Sequence, residues 1–153
     1  MTIQINTEGL SVAVSKSFVE LLATSLSKNN AIIDGVDEPN QSDVAVDVNS
    51  ITFNFRSPDY TAESGGYYPV EVNIERKGDT WQLCYITDFA YVGSGHCTEL
   101  AKNTDFDFTH DEFQSVFGIT RLSKAAEFYL IWEANFLVYA VNFEVFELSI
   151  TFD

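Results

Sequence analysis

The side chains most capable of covalent chemistry in this chain are two cysteines and two histidines. A catalytic nucleophile needs a base within hydrogen-bond reach and an acid that orients the base. His96 and Cys97 are adjacent, and adjacent residues of a strand point to opposite faces of the sheet, which argues against a Cys–His pair. The expected strand register also places Cys84 too far from Cys97 for a disulfide. No catalytic residue is predicted.

Five side chains that could bind a metal lie close together in the sequence: Asp105, Asp107, His110, Asp111 and Glu112. Histidine with carboxylates can hold zinc or a harder cation. The spacing matches no HExxH, CxxC or EF-hand motif, and the glycine of a calcium loop is missing. We interpret the segment as a solvated loop with Phe106 and Phe108 pointing inward, and we predict no metal and no other cofactor.

Glu133 is an acidic residue in apolar surroundings. On a helical wheel it lies between Ala126 and Tyr129, inside a broad apolar arc. A carboxylate removed from water must be paired, hydrogen-bonded or protonated. We expect a structural pair with Arg121, Lys124 or a strand hydroxyl.

The chain has 8 Lys and Arg against 23 Asp and Glu, a formal net charge of −15. This balance disfavours direct binding to nucleic acids and to anionic lipid surfaces, whereas it attracts basic proteins. A length of 153 residues and a hydrophobic fraction of 46% predict one folded domain, residues 1–153.

Nothing in the sequence predicts export or membrane insertion. Residues 1–10 lack the basic start and the apolar run of a signal peptide. The most apolar window, 128–141, is shorter than the roughly 20 residues that span a bilayer. We therefore expect a cytoplasmic protein.

A first, amphipathic helix is predicted from Ser15 to Lys28, where Ser17 and Glu20 have the spacing of a capping box. The pattern allows a short β segment at Ala31–Ile33 within the polar loop that follows. Alternating apolar and polar residues then predict strands at 44–48, 51–55, 70–75, 81–92 and 145–152, with a weaker one at 97–108. Residues 109–117 fit either a short strand or a helical turn.

The strand 81–92 is predicted to be central, because both of its faces carry apolar groups. Trp81, Leu83, Tyr85, Thr87, Phe89 and Tyr91 are expected on one face. Runs of strands joined by tight turns favour antiparallel pairing. The predicted fold class is α+β, a twisted, mostly antiparallel sheet with an N-terminal and a C-terminal helix packed on it.

The C-terminal helix, predicted from Leu122 to Val141, is apolar almost all the way round. Trp132 is expected to be among the most buried residues, while Ile131 and Val138 fall on the opposite side. One sheet cannot cover both sides of a helix. Either a second copy covers Ile131 and Val138, or the first helix does so through Phe18, Leu22 and Leu26.

The residues of this predicted helix resemble those of a known protein family. The run 128–139, FYLIWEANFLVY, preceded by 105–108, DFDF, resembles a family of small uncharacterised gammaproteobacterial proteins that carries a domain-of-unknown-function label. The segments Val12–Leu22 and Trp132–Phe136 look similar to the family's opening segment and to its Trp-Glu-x-Asn-Phe block. The resemblance covers nearly the whole chain and implies no activity.

A more distant similarity is to the mitochondrial acidic matrix proteins, and it rests on acidity, size and element order. It implies a twisted antiparallel sheet flanked by terminal helices, a ring-shaped trimer and binding of many partners without catalysis. The predicted final strand, 145–152, departs from a pattern that ends in a helix.

Three functions follow as hypotheses. The first is a non-enzymatic acidic binding or scaffold protein that self-associates through its C-terminal helix, with Ile131, Val138 and Glu133 as the interaction surface. The second is a nucleic-acid-mimicking decoy that binds a basic protein, although the acids are dispersed along the chain. The third is a small-molecule-binding domain, which an aromatic-lined cavity between sheet and helix would favour.

Overall fold

The computed structural model describes residues 3–34 and 47–153, and their side chains except those of 30–34. Within these residues the elements are β1 (Ile5–Asn6), α1 (Lys16–Asp34), β2 (Ser50–Arg56), β3 (Val70–Lys77), β4 (Thr80–Val92), β5 (Glu99–Asp107), β6 (Glu112–Ser115), β7 (Gly118–Arg121), α2 (Ala126–Leu137) and β8 (Glu147–Phe152). A 3₁₀ turn over Leu122–Ala125 leads into α2, and a π-helical turn over Val138–Asn142 follows it.

The strands form one sheet in the order β7-β6-β5-β4-β3-β2-β8, and every pair along this path is antiparallel. The predicted α+β class and mostly antiparallel sheet are confirmed. β1 was not predicted. It pairs in parallel with β4 at Trp81 and Gln82, beyond the point where β5 ends opposite Tyr85. β1 therefore supplies hydrogen bonds to a part of β4 that β5 does not reach.

One face of the sheet carries the core. Opposed pairs such as Ile51–Ile74 and Phe53–Val72 are fully buried and join the buried side chains of both helices in one cluster. The other face is a polar network, in which Tyr85 donates to Glu71 at 2.6 Å. This division is the pattern of an antiparallel sheet covered on one side.

A β-bulge at Cys84 corrects the faces predicted for β4. Ile74 pairs with Leu83, and Asn73 pairs with Tyr85, so Cys84 is an extra residue without a partner on β3. After the bulge the alternation resumes one position later. The core side therefore carries Trp81 and Leu83, followed by Ile86 and Asp88, whereas Tyr85 and Thr87 face the polar side.

Other corrections are local. Ser15 rather than Ser17 caps α1, because its hydroxyl accepts from the Phe18 backbone N–H at 3.1 Å. Residues 31–33 are helical, not β. The strand predicted at 44–48 lies mostly outside the described residues, and Val48 precedes β2.

The turn after β4 is longer than expected, so β5 begins at Glu99 and pairs Leu100 with Tyr91. Gly93 is required in this turn: it has φ +95°, and a Cβ there would lie 2.2 Å from the Cys97 carbonyl oxygen. The ambiguous segment 109–117 is a turn followed by β6.

Candidate functional site

α2 and the π-helical turn present three stripes of side chains. One stripe is buried against the sheet and α1 and contains Tyr129, Glu133 and Phe136. A second lines a cavity. The third, which we call the outer face, points to solvent and comprises Leu130, Ile131, Ala134, Val138 and Val141. A helix that is apolar all round would ordinarily be buried all round.

No side chain among those that the structure describes covers the outer face. The exposed fractions are 62% for Ile131, 55% for Leu130 and 40% for Val138. α1 does not cover them, which makes the intramolecular alternative wrong: Phe18 and Leu22 are fully buried, and the Phe18 ring packs on Phe136 at 5.9 Å between centroids.

Glu133 is buried, as predicted, but its partners differ from those expected. The carboxylate accepts a hydrogen bond from the Tyr129 hydroxyl at 2.6 Å and from the Ser15 backbone N–H at 3.1 Å. Arg121, Lys124 and a strand hydroxyl are not involved. Burial, and then the hydrogen bond to Glu133, raise the pKa of the Tyr129 hydroxyl, which stays a donor. Glu133 thus fastens the start of α1 to α2 and belongs to the core, not to the interaction surface predicted for it.

The second stripe faces a cavity of about 600 Å³ between α2, the segment before β3, and β4. This is the size of a small-molecule site. Seven of its twelve lining residues are aromatic: Tyr67, Tyr68, Phe128, Trp132, Phe136, Tyr139 and Phe146.

The cavity walls are held by contacts between rings. Trp132 stacks on Phe136 with centroids 5.3 Å apart, and Tyr67 packs on Tyr139 at 4.7 Å. Tyr139 lies in the π-helical turn, where the Phe143 N–H bonds to the Val138 carbonyl five residues earlier. Turns of this kind are frequent at functional sites.

The charged residue lining the cavity is Asp88 of β4, and its side chain is buried. One carboxylate oxygen accepts from the Thr104 N–H at 2.8 Å, the Thr104 hydroxyl at 2.6 Å and the Asn103 amide at 3.2 Å. The other accepts from the Trp132 indole N–H at 3.1 Å. A second bulge makes this possible, because Asn103 has no partner on β4.

Trp132 is half-buried, so the expectation that it is among the most buried residues is wrong. Its ring borders the cavity while Tyr129 and Phe136 fill the core. Asp88, Tyr67 and Tyr139 were missed by sequence reasoning. One signal was available for Asp88, which is the only charged residue in β4.

The candidates for covalent chemistry stay apart. His96 and Cys97 lie in the turn after β4 rather than in a strand. Cys84 and Cys97 are free, one buried and one exposed, and burial raises the pKa of the Cys84 thiol to about 11, which keeps it protonated.

The acidic segment of the sequence forms separate pairs. His110 bonds to Asp107 at 2.8 Å, which raises the pKa of the imidazole, and Asp105 accepts from Thr87 at 2.7 Å. Among residues 3–34 and 47–153, no three His, Cys, Asp or Glu side chains converge on a point that could hold a metal. In the same part of the chain, neither helix has the length and apolarity that crossing a membrane requires.

The similar solved structures include two proteins of Vibrio cholerae. The hypothetical protein VC0508 of the VSP-II pathogenicity island is 32% identical, with a TM-score of 0.82 and 99% of each chain covered. The conserved hypothetical protein VC1805 of pathogenicity island VPI-2 is 34% identical, with a TM-score of 0.75 over 96% of this chain and 99% of that one. VC1805 is described as sharing structural homology with the human P32 protein, the mitochondrial acidic matrix protein.

None of the curated proteins matches this chain. The family model described as "Protein of unknown function (DUF2787)" matches residues 16–151, which include both helices, β2 to β7, all of β8 but its last residue, and the aromatic cavity. The resemblance predicted from the residues of α2 is confirmed. The chain therefore belongs to the DUF2787 family of proteins of unknown function.

Proposed function

We propose that this protein is a non-enzymatic acidic binding protein that self-associates through the outer face. One observation carries the proposal: between Phe128 and Phe143 the only charged residue is Glu133, and Glu133 is buried. The exposed side chains of this stretch are therefore uncharged, and most are apolar. Large contiguous apolar patches are uncommon on the surfaces of monomers and mark sites of interaction.

A second copy of the chain is the partner that fits this face. Two molecules that each carry a net charge of −15 repel one another over most of their surfaces. Repulsion is weakest where exposed charge is absent, and burial of the exposed leucine, isoleucine and valine side chains stabilises the contact by about 25 cal/mol per Å². A symmetric dimer in which the outer face meets itself uses one patch twice.

Light scattering after size exclusion tests this proposal. We expect a mass of two or more times 17.2 kDa that falls on dilution. Val138→Lys and Ile131→Lys place a charge in the contact and should give the monomer mass, with melting temperatures close to that of the unmodified chain.

Val116→Lys is the matched control. Val116 is 81% exposed at the turn between β6 and β7 and is not one of the outer-face residues, so this variant should keep the larger mass. A constant mass near 17.2 kDa at all concentrations of the unmodified chain would contradict the proposal.

Similarity to VC1805, and through it to human P32, supports a binding role, because the acidic matrix proteins bind partners without catalysis. Basic proteins as further partners, which the net charge favours, and a cytoplasmic location are part of the proposal. The charge again favours basic partners over nucleic acid.

A second candidate function is binding of a small molecule, and the aromatic cavity is the observation that favours it. Its volume, its aromatic walls and its few polar groups are those of ligand sites in general. The two functions are compatible, since the outer face and the cavity occupy different stripes of α2 and meet only at Ile131.

A further inference from the structure

We infer that the aromatic cavity binds a small organic cation, an amine or quaternary ammonium group attached to an apolar body. The inference rests on the second candidate function, and it names the chemical class of the ligand. Three features of the cavity carry it: the carboxylate of Asp88, the aromatic rings that line the cavity with it, and the sign of the protein's net charge.

The first feature is that the Asp88 carboxylate is buried and has only neutral hydrogen-bond donors around it. All four groups that donate to its carboxylate are neutral: an amide N–H, a hydroxyl, a side-chain amide and an indole N–H. Within the part of the chain that the structure describes, no lysine or arginine pairs with it. Burial of a carboxylate without a counter-charge costs free energy, and a cation entering the cavity would offset that cost. When the cavity is empty, the four neutral donors hold the carboxylate in place.

The walls are the second feature. Aromatic faces attract cations, and tryptophan does so best. The Trp132 indole donates to Asp88 through its N–H, so an aromatic ring and a carboxylate are adjacent at one point of the cavity. Tyr67, Tyr139 and Phe146 leave room and apolar contact for a body larger than the ammonium group alone.

The field is the third feature. A net charge of −15 raises the local concentration of cations and lowers that of anions. An anionic ligand would meet both this field and the Asp88 carboxylate. A neutral ligand would leave the carboxylate without a counter-charge.

The test compares two probes of one shape. (4-Hydroxyphenyl)trimethylammonium and 4-tert-butylphenol differ in charge but hardly in volume. Isothermal titration calorimetry should show the cation binding about tenfold more tightly than the neutral probe, the order expected for a cation beside rings and a carboxylate. The resonance of the Trp132 indole N–H should shift on addition of the cation.

Asp88→Asn keeps the shape of the side chain and removes its charge, so it should bring the two affinities within about twofold of each other. Asp105→Asn is the control, because Asp105 also accepts from a threonine hydroxyl but lies on the polar face of the sheet. It should leave the tenfold preference intact. Tyr67→Leu removes an aromatic ring from the cavity wall, outside the buried core, and should lower the affinity for the cation. It provides a second variant if Asp88→Asn does not fold.

The outcomes separate the two levels of inference. Equal binding of both probes to the unmodified chain would overturn the cation assignment and leave a ligand-binding cavity. Binding of neither probe, with the mass by light scattering unchanged, would overturn the ligand-binding function together with the cation assignment. A preference that survives in Asp88→Asn would show that the carboxylate is not the recognition group.

Discussion

The two helices pack on the same sheet but use their apolar residues differently. In α1, Phe18, Leu22 and Leu26 are at most 1% exposed, so burial in the core accounts for these three apolar residues. In α2, Tyr129 and Phe136 are buried in the same way, yet several residues of comparable size face solvent. The apolar core residues of α1 between 16 and 29 are used for folding, whereas α2 has apolar residues beyond that requirement. The solvent-facing apolar residues of α2 are therefore available for an interaction.

The helices are also unequal in how they are fastened. The Glu133 carboxylate of α2 accepts a hydrogen bond from the backbone N–H of Ser15, the residue just before α1. An N–H at the start of a helix has no partner within the helix, and an acidic acceptor suits the positive end of the helix dipole. The N-terminus of α1 thus donates one hydrogen bond to its own Ser15 hydroxyl and one to Glu133 of α2.

The largest expected effect is the loss of stability when a buried residue of α1 is truncated. Leu22→Ala removes a fully buried side chain of α1 and should lower the free energy of unfolding by about 2–5 kcal/mol. Leu130→Ala on the outer face should change it by less than about 0.5 kcal/mol. Urea denaturation at low protein concentration measures both. Equal losses would mean that the outer face is part of the core, and the distinction between the helices would fail.

An intermediate effect is expected where the helices meet. Glu133→Gln places an amide group against two donors. It should lower the free energy of unfolding by about 1–3 kcal/mol, because a buried hydrogen-bonding group loses its acceptor. Glu127→Gln, an exposed acid in the first turn of α2, should cost less than about 1 kcal/mol through the helix dipole. Thermal unfolding monitored by circular dichroism compares them, and a harmless Glu133→Gln would show that Glu133 does not fasten α1.

The smallest effect is expected from salt. Raising ionic strength from about 0.01 to 0.15 M shortens the Debye length from about 30 to 8 Å. Repulsion among the acidic residues then weakens, so the melting temperature should rise by a few degrees and the associated fraction should increase. Light scattering across the salt series checks this. A mass that falls with added salt would mean that ion pairs hold the copies together, and the uncharged outer face would not be the contact.

The fold was predictable to the extent that it follows from local patterns. The alternation in β2, β3 and β8 and the apolar period of α1 predicted these elements and the antiparallel sheet. β1 was missed because two residues cannot show a period, and their pairing with β4 depends on where β5 ends. The faces of β4 were wrong after Cys84, because a bulge is a property of the strand pair and not of one strand.

The candidate site was predictable in part. The excess of apolar residues on the C-terminal helix is visible in the sequence, and so is the burial of Glu133. Its partner Ser15 lies 118 residues away in the chain, and nothing in the sequence links the two. The cavity requires Tyr67, Asp88 and Tyr139 to come together from a loop, a strand and a π-helical turn, so only the tertiary structure reveals it.

The bulge at Cys84 determines which side chains of β4 face the cavity. In an unbroken strand, Leu83 and Asp88 are five positions apart and would point to opposite sides of the sheet. The backbone takes up one residue outside the count, so Asp88 returns to the side of Leu83. The bulge thus shifts the alternation of side chains by one residue. Asp88, which would otherwise face the polar network, lines the cavity instead. The displaced carbonyl of Cys84 is occupied as well, because the N–H groups of Phe108 and Thr109 bond to it and tie down the end of β5.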